Sequence, residues 1–214
     1  MTQAVTDTRE RLIEAARDLF LMQGYQATGI SLILKKAGAN SGSLYYFFPT
    51  KEDLLVAVLE WYRDHIQDDL LDLHTARIDD PIERIFGLLD GYRQMLTSCD
   101  FEVGCPIGNL ALELTNTHPA VRSLLLVNFE QWVDAVEGFL NAAADRLPED
   151  LDRRALAVHI LTTMEGGVML ARTYRSIQRF DQTVTHLRAY IESLVREGTQ
   201  WSVPKRAAQP GEPA

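Results

Sequence analysis

Residues 28–54 leave room for little except very short helices. Ile30, Ile33 and Ala37 share one face of a helix that Gly38 must end. Asn40 or Ser41 can cap the next helix, which runs only to Pro49, and Thr50 with Asp53 forms a capping box that opens a third. A helix of barely two turns buries too little to build a core. It serves well to set a few side chains and a positive helix end into a DNA groove.

The faces of that middle helix support the point. At about 100° per residue, Leu44, Phe47 and Phe48 cluster on one side and Gly42, Ser43, Tyr45 and Tyr46 point the other way. The first set is an anchor. In the second, Gly42 lets backbone approach base edges, Ser41 and Ser43 can donate or accept there, and the phenols of Tyr45 and Tyr46 reach phosphate oxygens. Lys51 adds a charge at the next helix start, and Thr28 adds a hydroxyl as the expected cap of the preceding helix. Singly, the tyrosines would equally suit the surface of a small bundle. Anchors, glycine turn, polar tip and capping box together favour DNA.

The rest of the chain is also helical in pattern, so the fold class expected is all-α. Asp7 and Glu10 read as a capping box ahead of Leu12, Ile13, Ala16, Leu19 and Phe20, a stripe closed by Gly24. The helix opened at Thr50 continues through Trp61 and Tyr62, and the pattern loosens near 74–80. It restarts at Asp80-Pro81-Ile82-Glu83 and runs to about Thr97. Pro106 opens a short helix, His118-Pro119 precedes a long one, and two more span roughly 151–175 and 181–197, the latter closed by Gly198. The domains predicted are 1–50, a helix-turn-helix unit, and 51–202, a larger helical unit joined to it by the helix from 51. A disordered tail is predicted over 203–214.

Several classes are disfavoured. No apolar run approaches a bilayer span, the N-terminus lacks signal-peptide character, and two cysteines make no disulfide framework, so the cytoplasm is expected. The net charge of −9 opposes indiscriminate nucleic-acid binding. Residues 1–60 hold 6 Lys/Arg against 7 Asp/Glu, so the acidity sits beyond them. The five histidines show no metal-ligand spacing, and no phosphate loop, dinucleotide fingerprint or nucleophile elbow occurs. Neither metal nor cofactor is implied, and no enzyme is expected.

Residues 8–60 resemble the DNA-binding domain of the TetR family of bacterial transcriptional regulators. The resemblance rests on a helix ending near Gly24-Tyr25, then Thr28-x-Ile30-x-x-Ile33, Ala37-Gly38, Gly42-Ser43-Leu44-Tyr45-Tyr46-Phe47-Phe48, and Lys51-x-x-Leu54. It implies that Thr28, Ser41, Gly42, Ser43, Tyr45, Tyr46 and Lys51 contact DNA. Three positions depart from the pattern: Ser31-Leu32 replaces a charged pair, Leu34 the usual alanine, and Phe47-Phe48-Pro49 the common His-Phe-Lys. The missing cation at 49 weakens the expected backbone contacts. Lys35 and Lys36 either compensate or form a solvated face.

The resemblance further implies a helical effector-binding domain, a homodimer and a ligand-released repressor of operator DNA, with the helix from Lys51 as the lever. Ala155, Val158, His159 and Thr162, then Leu187, Tyr190, Ile191 and Leu194, form stripes that suit a four-helix interface or, alternatively, the monomer's own core. Residues 104–113 resemble a Gly-Cys-x-x-Gly-Asn-Leu-Ala-x-Glu motif found in a subset of the family. Pro106 places Cys105 at a helix start, where the backbone dipole favours a thiolate. Cys105 is therefore either a packing residue or an oxidant or electrophile sensor, with acidic Asp100 and Glu102 opposing the latter. Candidate effector contacts are Trp61, Tyr62, Phe86, Tyr92, Met95, Cys105, Asn109, Glu113, Phe129, Trp132, Met164, Glu165 and Met169, each of which would also serve in a core. A rival of another class is a helical binding protein or enzyme without DNA binding.

Overall fold

The computed structural model describes residues 2–197, and every regular element within them is helical. Helices α1 (Thr2–Gln23), α2 (Ile30–Ala37) and α3 (Ser41–Phe47) form a head. Helix α4 (Lys51–Ile66) leads out of it and continues through a π-helical segment, Gln67–Asp72, into the single turn α5 (Leu73–Thr75). The body comprises α6 (Pro81–Ser98), α7 (Pro106–Leu114), α8 (Pro119–Ala142), α9 (Arg153–Tyr174) and α10 (Gln178–Glu197), with a 3-10 turn at Ala144–Arg146. The predicted tail over 203–214 and the stop at Gly198 lie outside the described residues.

Local chemistry sets most of the breaks. Gly38 ends α2 in the left-handed region at φ 59°. The Asn40 side chain accepts from the Ser43 amide at 2.9 Å and starts α3. Thr50 Oγ1 accepts from the Asp53 amide at 3.1 Å while Asp53 accepts from the Thr50 amide at 2.8 Å. Asp80 accepts from the amides of Ile82 and Glu83 ahead of α6. Each such cap contributes about 1 kcal/mol.

Three local readings differ from the sequence expectation. Helix α1 begins at Thr2, so Asp7 and Glu10 lie inside it and not at its cap; Gln3-Ala4-Val5 contains nothing to stop the helix. Gly29, and not Thr28, is the N-cap of α2. Phe48 lies beyond the last turn of α3 in extended backbone, yet it is buried beside Leu44 in the core.

Leu12, Ala16 and Phe20 of α1 share the head's core with Ile33, Leu44 and Phe48. Leu54, Leu55 and Val58 continue that core into the body, where α8 packs on α4 and Asn128 Nδ2 donates to the Leu59 carbonyl at 3.2 Å. Helix α9 packs against both α8 and α10. On α10, Leu187, Ile191 and Leu194 are buried, so that stripe completes the protomer's own core. Ala155, Val158, His159 and Thr162 on α9 are exposed.

Candidate DNA-reading surface and effector cavity

Helix α3 carries the most exposed aromatics of the head. Tyr46 is 77% exposed and Tyr45 52%, with Ser41 and Gly42 also exposed and Ser43 half-buried. The anchors hold this surface from behind: Leu44 and Phe48 are buried, and Phe47 meets the Tyr46 ring edge-on at 5.0 Å. A side chain at Gly42 would come within 3.3 Å of Asn40 Oδ1, so glycine leaves the cap undisturbed. Lys35 is exposed, while Lys36 pairs with Asp18 at 3.2 Å.

Thr28 and Lys51 have other partners. Thr28 is fully buried, and its hydroxyl donates to the Gly24 carbonyl at 2.7 Å, closing the corner between α1 and α2. Lys51 Nζ donates to the Tyr25 carbonyl at 2.5 Å and sits 4.0 Å from the centre of the Tyr25 ring. Burial lowers the pKa of this ammonium, with Glu113 opposing the shift. Both residues brace the corner that orients α2 and α3.

That corner is also held from the body. Glu113, in the last turn of α7, accepts from the Tyr25 amide at 2.9 Å and from the Gln26 amide at 2.6 Å. Gly24 allows the approach: it has φ 84°, and a side chain there would meet Glu113 Oε2 at 2.9 Å. His118, between α7 and α8, meets the Tyr25 ring edge-on at 5.2 Å. Tyr25 is thus gripped by α4, α7 and the α7–α8 junction together. Glu113, expected from the sequence in an effector pocket, lies at this joint and outside the cavity lining.

A cavity of about 1140 Å³, open on one side, lies between α7, α8 and α9 and reaches Met22 of α1. Four of the thirteen candidate effector contacts line it: Asn109, Phe129, Glu165 and Met169. The sequence reading missed Phe101, Val133, Leu161, Val168 and Arg172, also in its wall. Phe101 carried a signal only in three dimensions. It and Asp100 have positive φ, 61° and 50°, a strained pair that turns the chain into α7. Arg172 donates from Nη1 to Asn109 Oδ1 at 2.9 Å and from Nη2 to the Glu102 carbonyl at 3.2 Å.

Behind this wall lies a buried polar group. Cys105 is the N-cap of α7, and its Sγ accepts from the Gly108 amide at 3.5 Å. The cap does not yield a thiolate. Burial, then the Glu165 carboxyl, push the thiol well above its ordinary pKa, outweighing the amides of Gly108 and Ile107. Burial also raises Glu165, which the Cys105 thiol partly offsets, and it raises Tyr92, which borders Cys105 and Trp132. Gly108 is small for a reason: a Cβ there would collide with the Glu165 carboxyl.

The remaining candidates sit elsewhere. Trp61 is covered by the Arg17 guanidinium at 4.0 Å and stacks on His65 at 4.2 Å, between α1 and α4. Tyr62 is half-buried, and burial raises its pKa against the opposing pull of Arg17. Phe86 lies under Arg188 at 3.7 Å beside α10. Tyr92, Trp132 and Met164 are buried in the core, with Met95 packed against it.

Two family descriptions divide the chain as the head and body do. Residues 12–58 match bacterial regulatory proteins of the tetR family, and residues 81–199 match the tetracyclin repressor-like C-terminal domain. The chain belongs to the TetR family. It is similar to the HTH-type transcriptional regulator Rv0196 of Mycobacterium tuberculosis (strain ATCC 25618 / H37Rv), 31% identical over 84% of this chain and 92% of that one. The HTH-type transcriptional regulator LmrA of Bacillus subtilis (strain 168) is 29% identical over 89% and 97%. Among solved structures, a TetR transcriptional regulator from Chloroflexus aurantiacus superposes with a TM-score of 0.80 at 28% identity, covering 90% of this chain and 98% of that one. This TetR-family chain is therefore a transcriptional regulator in its class, and α2–α3 are its helix-turn-helix. Among the described residues, no helix is long and apolar enough to cross a membrane.

Proposed function

We propose that this regulator is a repressor that binds operator DNA as a homodimer and is released when a small molecule occupies the α7–α8–α9 cavity. One observation carries the reading: a single short helix touches both sites. Gly108, Asn109, Ala111 and Leu112 of α7 line the cavity, and Glu113 of the same helix holds the α1–α2 corner. A ligand that shifts α7 alters the seat of α3. The ligand acts only through its different affinity for the two arrangements of α7.

This differs from a lever in α4. No α4 residue lines the cavity, and Trp61 of that helix faces α1. Helix α4 instead supplies Lys51 to the same corner.

Dimerisation is assigned to the outer edges of α9 and α10. Ala155 and His159 of α9 and His186 and Ala189 of α10 are exposed, and the His159 and Tyr190 rings meet edge-on at 6.2 Å across the two helices. Paired about a two-fold axis, such faces set two α3 helices for half-sites about 34–36 Å apart. Surface tyrosines and serines read the grooves, while the head's near-neutral charge keeps affinity for random DNA low.

A mobility-shift assay on duplex from upstream of the protein's own gene tests the proposal. A sequence-selective, salt-sensitive shift that Tyr46→Ala abolishes is expected. The absence of a selective shift overturns it.

A further inference from the structure

Two residues that line the cavity each carry an enclosed polar atom that makes no hydrogen bond to any protein group: Glu165 Oε1 and Arg172 Nε. Orphaned buried polar atoms are uncommon in folded proteins and call for an explanation. These two are complementary, one an acceptor and the other a donor. Their residues stand seven apart on α9, hence on one face of the helix with Cα positions about 10 Å apart along its axis.

Both side chains are held in place. The Cys105 thiol borders the Glu165 carboxyl, and Gly108 gives the carboxyl room. Asn109 and the Glu102 carbonyl fix the Arg172 guanidinium through its other nitrogens. Other charges in the wall are occupied or exposed: Glu130 pairs with Arg154, Arg175 pairs with Asp100, and Glu102 is exposed. The cavity's apolar lining includes Phe101, Phe129, Val133, Leu161, Val168 and Met169.

We infer that the cavity takes an elongated, mainly apolar organic molecule with a hydroxyl at one end for Glu165 and a carboxylate or carbonyl at the other for Arg172. A purely cationic ligand would leave Arg172 Nε unmatched, and a purely anionic one would set its charge against Glu165. An apolar body alone would satisfy neither atom. The inference rests on reading the cavity as the effector site.

Four biphenyls separate these cases: 4′-hydroxybiphenyl-4-carboxylic acid, biphenyl-4-carboxylic acid, 4-phenylphenol and biphenyl. Titration calorimetry on the full chain is expected to show the two-ended compound binding at least tenfold tighter than any other. Glu165→Leu should remove its advantage over the plain acid, and Arg172→Met its advantage over the phenol. Glu165→Gln, which keeps an acceptor oxygen, should retain most of the affinity, and circular dichroism confirms that each variant remains folded. Equal binding of all four compounds, or an advantage that survives both substitutions, overturns the inference and leaves the effector site standing. Binding of none overturns both.

Discussion

Replacing Glu113 with alanine removes the acceptors of the Tyr25 and Gln26 amides in one step. Hydrogen bonds to a charged acceptor contribute about 1.5–3 kcal/mol each. The two sites differ in solvent access, which decides the net effect. Gln26 is exposed, and water replaces its lost acceptor at little cost. Tyr25 is 5% exposed, so its amide is left without a good partner. The expected loss is about 2 kcal/mol at the corner, or roughly a 30-fold rise in local opening. Hydrogen exchange read on a peptide spanning 20–30 measures it directly. Exchange at Tyr25 should accelerate about 30-fold by the same arithmetic, while core amides of α8 and α9 stay unchanged. Glu113→Gln keeps one acceptor oxygen and should fall between. If the Tyr25 amide exchanges in the alanine variant as it does in the wild type, α7 does not hold the head and the proposed coupling route is wrong.

Other consequences are separable. Glu165 titrates above its ordinary value of 4.5 because it is buried, so the folded state holds its proton more tightly than the unfolded state. Its contribution to stability is full below 4.5 and is lost as pH rises through the raised value. Glu165→Gln should therefore flatten the decline in Tm across that interval and raise Tm above it. Native Cys105 should react with iodoacetamide far more slowly than the unfolded chain, and Cys105→Ser should leave induction intact, since the buried thiol resists ionisation. Gly108→Ala should destabilise by about 1–3 kcal/mol through overpacking, and Glu165→Ala should recover part of that loss in a double-mutant cycle. Tyr46→Ala should change stability by less than about 0.5 kcal/mol while abolishing operator binding, because an exposed ring contributes little to the fold.

Features governed by neighbours in sequence were legible. Asn40, the Thr50–Asp53 box and Asp80-Pro81 bond within three residues of themselves, so side-chain type and spacing suffice to find them. The same locality made the exposed face of α3 readable. Thr28 misled because a threonine before a helix is a good cap in general, whereas here its hydroxyl reaches back to Gly24 and Gly29 takes the cap position.

Tertiary relations were not legible. Glu113 bonds backbone amides 87 and 88 residues away, and a backbone amide leaves no mark in a sequence. The stripes on α9 and α10 look alike as text, yet one is exposed and the other buried, since only packing determines which apolar face meets a neighbour. For Cys105, a helix start taken alone argues for a thiolate. The opposing carboxyl comes from Glu165 on α9, and it acts in the same direction as burial, the larger cause. The neighbouring acids Asp100 and Glu102 were visible, but they are not the groups that act on it.

The claim that two heads read adjacent major grooves is tested most directly by changing the distance between half-sites. Fluorescence anisotropy would follow the full chain on a labelled operator and on one with about 5 base pairs, half a helical turn, inserted at its centre. Affinity should fall at least tenfold with the insertion and recover largely when about 10 base pairs are inserted, with only a modest salt dependence on the intact site because the head is near-neutral. Equal affinity for all three spacings would mean that each head binds alone, and the dimeric operator reader described here would be contradicted.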